Sequence, residues 1–298
     1  MTAFFGRTLC KRATISALRD KIDWSGNGMS MGFILRLVRN YNQFGLMSMA
    51  IFSTRLWHMD FMIEFGSLSG LDGAAVALLI AVWLALSWWI EHPSAKHPSV
   101  TMVMSEYRRQ WMQVMIRRDP RIFDAQIMSS LRQGTSFFAS TCLLAVGGVL
   151  ALIGNVDPLR GMADSIDVAQ SSTVIWQIKL GLVLVLLSNA FLKFVWANRV
   201  FGYCSVMMAA VPNDPDDPMA VPMAAKAGEL NIRAAMNFNR GLRSMYFALG
   251  AVAWLAGPVP LMVAVAVTAR VVWSREFASV PRAIIMDDTG GTGGDTKM

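Results

Sequence analysis

The fold class is decided by residues 100–154, which read VTMVMSEYRRQWMQVMIRRDPRIFDAQIMSSLRQGTSFFASTCLLAVGGVLALIG. The stretch begins as a basic amphipathic helix, because its apolar residues recur at spacings of three and four. Asp119-Pro120 interrupts that helix and can cap and start the next one. The second helix passes through RQGT at residues 132–135 into an uninterrupted apolar run. This pattern predicts one continuous helix that leaves water and enters lipid.

The composition agrees with an integral membrane protein. Of the 298 residues, 54% are hydrophobic and 16% are charged, and the apolar residues are gathered into runs long enough to span a bilayer. Four runs predict transmembrane helices at residues 73–90, 136–153, 174–196 and 245–273. The predicted fold class is therefore all-α, an integral membrane helical bundle with cytoplasmic amphipathic juxtamembrane helices before the second and fourth spans.

The last apolar run leaves two alternatives open. About 29 residues would make a helix of roughly 43 Å, against a hydrocarbon core of about 30 Å. The sequence Gly257-Pro258-Val259-Pro260 interrupts this run near its middle. The first alternative is a single kinked and tilted span, and the second is a re-entrant pair of half-helices.

Loop charge predicts the orientation. The first inter-span loop holds seven basic residues, the second holds one, and the third holds five. By the positive-inside rule, the first and third loops face the cytoplasm and both chain ends lie outside. We therefore expect a multi-pass protein of a bacterial inner (plasma) membrane.

Residues 1–58 differ from the rest of the chain. They hold eight basic residues against two acidic ones, and translocating such a segment would oppose the positive-inside rule. Three interpretations stay open: a gene start placed too early, with translation beginning at Met59 or Met62; a basic extension lying on anionic lipid; or an organelle transit peptide. The opposite end, residues 278–298, is expected to be a disordered tail.

Residues 71–277 resemble an uncharacterised bacterial and plant membrane family, "domain of unknown function 599". Three stretches carry the resemblance: YRRQWM at 107–112; AQ at 125–126 through SSLRQG at 129–134 to AST at 139–141; and NRG at 239–241 through YFA at 246–248 to WLAGP at 254–258. The family often has LRNS where this chain has LRQG at 131–134. The resemblance implies family membership and no specific function.

No catalytic, cofactor-binding or metal site is predicted. The three cysteines form no CxxC pair, and no HExxH, Walker or nucleophile-elbow motif occurs. The candidate site residues are instead polar side chains at the cytoplasmic boundary or inside the spans: Arg132, Gln133, Ser136, Ser140, Thr141, Asn189, Asn239, Arg240 and Arg243. They suit a polar intramembrane lining or an anionic headgroup site. Interhelical hydrogen bonds and an ordinary basic flank are the structural alternative.

The sequence favours a non-enzymatic membrane protein that acts as a scaffold, as an assembly component or by engaging lipid. Its expected partner is anionic lipid at the cytoplasmic face, with self-association as a further expectation. The net charge of +7 lies mostly in residues 1–58, so no nucleic-acid partner is expected. The alternative is an oligomeric small-solute or ion transporter or channel that uses Asn189, Ser140 and Thr141 on a polar path.

Overall fold

The computed structural model describes residues 68–94, 96–158, 161 and 172–287, and all regular structure there is helical. The helices are α1 Gly70–Glu91, α2 Val100–Ile116, α3 Ile122–Gly154, α4 Thr173–Ala209, α5 Ala220–Val252, α6 Pro258–Phe277 and α7 Val280–Met286, with a 3-10 turn Ala253–Ala256 after α5. The predictions for residues 1–58 and 288–298 lie outside the described residues.

Serines begin four of these helices. Ser69 accepts a hydrogen bond from the backbone N–H of Asp72, whose carboxylate accepts one from the backbone N–H of Ser69, so α1 starts with a complete capping box. The hydroxyls of Ser99, Ser172 and Ser279 cap α2, α4 and α7 in the simpler one-sided way. Local sequence therefore fixes where these helices start.

Three helices of the described part, α1, α3 and α4, are long and apolar enough to cross a membrane. They lie over the first three predicted spans. At 33 and 37 residues, α3 and α4 exceed the roughly 20 residues that a bilayer core requires. About 13 residues of α3 and about 17 of α4 are therefore more than a crossing requires.

The run 245–273 is not one helix. α5 ends at Val252, and Gly257 breaks the helix before α6 begins at Pro258. Gly257 has φ 123° and ψ 174°, a conformation that glycine alone adopts readily. Pro258 suits the first position of α6 because its φ is already helical.

The chain reverses direction at this break. Arg240 of α5 contacts Glu91 at the end of α1, whereas Trp254 donates a hydrogen bond to Asp72 at the beginning of α1, at 2.7 Å. α6 then returns, since the rings of Trp273 and Trp89 lie 5.6 Å apart. Of the two alternatives for this run, the structure has a pair of antiparallel segments rather than one kinked helix, because the chain reverses at the Gly-Pro signal.

The C-terminal part also departs from expectation. Residues 280–286 form α7 rather than a disordered tail. Tyr107 Oη of α2 donates to the Ile285 carbonyl at 3.3 Å, and Arg282 Nε donates to the Pro98 carbonyl at 3.1 Å. α7 therefore lies at the α2 end of the bundle, opposite the start of α1. The side of the membrane on which the chain ends lie stays a prediction, because the residues before 68 lie outside the described part.

The buried core has two main parts along the bundle. One joins α1, the middle of α4, the end of α5 and α6, and includes Leu79, Phe247 and Leu261. The other joins α2, the start of α3, the end of α4 and the start of α5, and includes Met112 and Phe201. Near the second part, polar side chains of α2 to α5 line two cavities at the basic end of the protein.

Candidate functional site

A cavity of about 760 Å³ lies between the first half of α3 and the last part of α4. We call it the α3–α4 cavity. Its walls combine apolar side chains with hydroxyl, amide and charged groups: Met115, Arg121, Asp124, Ala125, Met128, Ser129, Arg132, Gln133, Ser136, Asn198, Ser205, Met208, Ala209 and Asn213. Both helices leave the predicted spans at this level, so the cavity lies where an apolar layer meets water.

Three predicted site residues line this cavity from α3. Arg132 and Gln133 are exposed and form no hydrogen bond or ion pair with a described residue. Ser136 Oγ accepts a hydrogen bond from Asn198 Nδ2 of α4 at 3.1 Å. The guanidinium of Arg132 is therefore available to a ligand, and Ser136 helps to hold the two walls together.

The other charges in the wall are already partnered. Asp124 is fully buried, and its Oδ1 accepts hydrogen bonds from Trp111 Nε1, at 2.6 Å, and from Arg118. Arg121 donates to the carbonyls of Val211 and Pro212, at 2.7 and 2.6 Å, and so fixes the α4–α5 loop. Asp124 is neutralised by Arg118, which leaves the cavity with a positive balance.

A second polar group joins the end of α1 to α5. Arg240 donates to both oxygens of Glu91, at 2.8 and 2.5 Å, and Arg243 Nη2 donates to Glu91 Oε1 at 2.6 Å. The side chains of Arg243 and Glu91 are 5% and 11% exposed. The Glu91 carboxylate accepts hydrogen bonds from both guanidiniums at the edge of the apolar core. This cluster therefore links α1 to α5.

A smaller cavity of about 260 Å³ lies between α2, α5 and the end of α6. We call it the α2–α5 cavity. Glu276 of α6 accepts hydrogen bonds from the backbone N–H and the hydroxyl of Thr101, and Asn239 donates to that hydroxyl at 3.2 Å. Arg108, also in the wall, donates to the buried Asn231. Burial lowers the pKa of Arg108, since the charged guanidinium is partly removed from water.

The remaining predicted residues are separate from both cavities. Asn189 Nδ2 donates to Ser244 Oγ at 3.0 Å, and that hydroxyl donates to the Leu186 carbonyl at 2.8 Å. The Thr141 hydroxyl donates a hydrogen bond to the Phe137 carbonyl of its own helix, and Ser140 is exposed on α3. The predicted residues therefore form local pairs and small clusters rather than one lining.

Sequence reasoning missed several residues of these clusters: Glu91, Thr101, Arg108, Asp124, Asn198 and Glu276. Glu91 comes directly after the first predicted span, and Asp124 lies in the first turn of α3. A usable signal for Glu91 was present, because a carboxylate at the end of one span can meet arginines that flank another. Asp124 gave no such signal, since its partners depend on how α2 packs on α3.

Comparison with known proteins adds a family but no activity. Neither a search of curated proteins nor a search of solved structures finds a match. A family model does match, over residues 74–281, which cover well over half of the chain. The resemblance inferred from the sequence is thereby confirmed. The chain belongs to the family described as "Protein of unknown function, DUF599".

Proposed function

We propose that this chain is a multi-pass, non-enzymatic protein of a bacterial inner membrane that binds anionic phospholipid at its cytoplasmic face. The observation that carries the proposal is the α3–α4 cavity, in which Arg132 has no partner among the described residues. The predicted roles of scaffold and assembly component are compatible with lipid binding. Self-association stays a prediction.

The membrane arrangement follows from helix packing and charge. α1, α3 and α4 supply three crossings, and the end of α5 and α6 supply two more, with the reversal at Gly257 between them. Trp89 and Trp273, which pack together, suit the interface at the α2 end. The basic residues around α2 and at the start of α5 support a cytoplasmic location for that end by the positive-inside rule. This topology has five crossings and a cytoplasmic C-terminus, in place of four crossings.

Headgroup binding follows from the position of Arg132. The apolar run of α3 starts at Phe137, about one helical turn after this residue, which suits its guanidinium to the depth of lipid phosphates. Arginine binds phosphate through paired N–H groups, and Gln133 and Ser129 add polar groups to the same wall. The methionines of the wall offer apolar contact to glycerol and the first acyl carbons.

The test compares two arginine variants of equal charge. Arg132→Gln removes the cavity arginine, whereas Arg117→Gln removes an exposed arginine that does not line the cavity. Native mass spectrometry of the full chain released from nanodiscs of phosphatidylglycerol and phosphatidylcholine measures retained lipid. We expect Arg132→Gln to weaken phosphatidylglycerol binding about tenfold or more, because a hydrogen bond to a charged group contributes about 1.5–3 kcal/mol.

The Arg117→Gln control distinguishes a built headgroup site from general surface charge. Arg117→Gln should retain phosphatidylglycerol like the wild type. Equal losses in the two variants would reduce the effect to general surface charge and would contradict a built headgroup site.

The transporter alternative receives less support from the geometry. Asn189, Ser140 and Thr141 line neither of the two cavities. Asn189 is satisfied by Ser244, and the apolar side chains of Val183, Leu186 and Leu187 lie between it and the start of α4. A polar path through the described helices would require these groups to rearrange.

A further inference from the structure

The α2–α5 cavity holds two opposite charges that do not pair with each other. Arg108 lies on α2 and Glu276 lies at the end of α6, and both line the cavity. The described residues include no ion pair for either side chain, although salt bridges form close by at Arg109 and at Arg243. A cavity that separates a cation from an anion is a matched receptor for a ligand with both charges.

Arg108 is the cationic half of this receptor. It is half-buried. Among the described residues, its side chain forms a single hydrogen bond, to the amide oxygen of Asn231. A guanidinium has five N–H donors, so most of its donor capacity is unused. The neighbouring Arg109, which is exposed, has two carboxylate partners instead, Glu106 and Glu229. The arginine with the greater burial is therefore the one without a counter-charge, and a ligand carboxylate would offset that cost.

Glu276 is the anionic half. Its oxygens accept from Thr101, through the backbone N–H at 3.1 Å and the hydroxyl at 2.9 and 3.0 Å. These bonds fix the carboxylate in place and leave lone pairs for a further donor. Arg243 also interacts electrostatically with Glu276, but it makes its ion pair with Glu91. An ammonium group in the cavity would give Glu276 a direct partner.

We propose that the α2–α5 cavity binds a small zwitterion of the amino acid class, with its carboxylate on Arg108 and its ammonium group on Glu276; because Thr101 and Arg108 are two helical turns apart, the cavity favours members whose charged groups are separated by a carbon chain. The volume of about 260 Å³ is below the usual range for drug-sized ligands, and so suits a small metabolite. The Asn239 amide and Ser105 hydroxyl can complete the polar contacts, and Met104 and Met236 offer apolar walls. The lipid site at the α3–α4 cavity is independent of this proposal.

The test is a binding measurement on the full chain in detergent. The proteinogenic L-amino acids and the longer zwitterions 4-aminobutyrate and 6-aminohexanoate are added separately, and the thermal midpoint and the calorimetric binding constant are recorded. Acetate and methylammonium, at the same ionic strength, supply each charge alone. We expect at least one amino acid to raise the midpoint and to bind at least about tenfold more tightly than either single-charge probe, because hydrogen bonds to charged groups are strong.

Three variants locate the site. Arg108→Gln should weaken binding of that amino acid about tenfold or more, whereas Arg109→Gln should leave it unchanged. Because Glu276 also holds the start of α2, Met236→Trp serves as the second test: it fills the cavity without removing a charge, and should abolish binding while lipid retention is preserved. The proposal is overturned if no amino acid binds, if acetate binds as tightly, or if Arg108→Gln and Arg109→Gln behave alike.

Discussion

Replacement of Glu91 by glutamine is expected to lower the free energy of unfolding by about 3–5 kcal/mol, the usual cost of removing one partner from a buried ion pair. Arg240 and Arg243 both form an ion pair with the Glu91 carboxylate. Arg243 is 4% exposed, and its Nη1 already has no hydrogen-bond partner among the described residues. Glutamine would leave two guanidiniums close together at the edge of the core with no compensating charge.

Reversible denaturant unfolding in mixed micelles measures this loss. Glu229→Gln is the matched control, because Glu229 pairs with Arg109 at an exposed site where ion pairs contribute about 0–1 kcal/mol. In a second step, Arg243→Met is added to Glu91→Gln. Removing the orphaned charge with a side chain of similar volume should recover part of the stability. Equal effects of Glu91→Gln and Glu229→Gln would contradict the assignment of Glu91 as the link between α1 and α5.

Gly241→Ala is expected to destabilise the protein by overpacking the contact between α4 and α5. A Cβ at this position would lie 2.8 Å from Cε1 and 3.0 Å from Cδ1 of Phe194. Phe194 is fully buried and packs against the rings of Phe138 and Phe238, at 5.5 and 5.4 Å between centroids. The ring therefore has little space to move, and overpacking of this kind costs about 1–3 kcal/mol.

The control is Gly202→Ala, because a Cβ there would meet no atom within 4 Å. Both variants gain the higher helix propensity of alanine, about 1 kcal/mol, so the difference between their unfolding free energies isolates the clash. We expect that difference to be about 1–3 kcal/mol in favour of Gly202→Ala. Introducing Phe194→Leu should shrink it, since the double-mutant cycle then removes the atoms that collide. A difference that stays the same in the Phe194→Leu background would disprove close packing between α4 and α5 at Gly241.

Features encoded locally were predictable from the sequence. Apolar runs located α1 and the membrane-length parts of α3 and α4, and the periodicity of residues 100–116 predicted α2. The reversal at Gly257 was left as one of two alternatives, because glycine and proline equally permit a kink or a turn. The choice depends on the packing of α6 against α1, which the hydrophobic pattern of a single run does not specify.

The candidate site was predictable only in part. Arg132, Gln133 and Ser136 line one cavity, and the sequence could group them because they are neighbours on one helix. Arg132 was also grouped with Arg240 and Arg243, yet those arginines contact Glu91 of α1 while Arg132 faces α4. Polar residues near one membrane boundary look equivalent in sequence, and only the pairing of helices divides them between cavities.

Cysteine accessibility tests the membrane arrangement most directly. In full-length protein with Cys10, Cys142 and Cys204 replaced, single cysteines are placed at three exposed positions, Asn155 after α3, Asp214 after α4 and Ala278 after α6. An impermeant maleimide is then applied to right-side-out and inside-out membrane vesicles. We predict that Ala278→Cys and Asp214→Cys are labelled from the cytoplasmic side and Asn155→Cys from the opposite side. Labelling of Ala278→Cys on the same side as Asn155→Cys would restore a single crossing for residues 245–273 and contradict the five-crossing account.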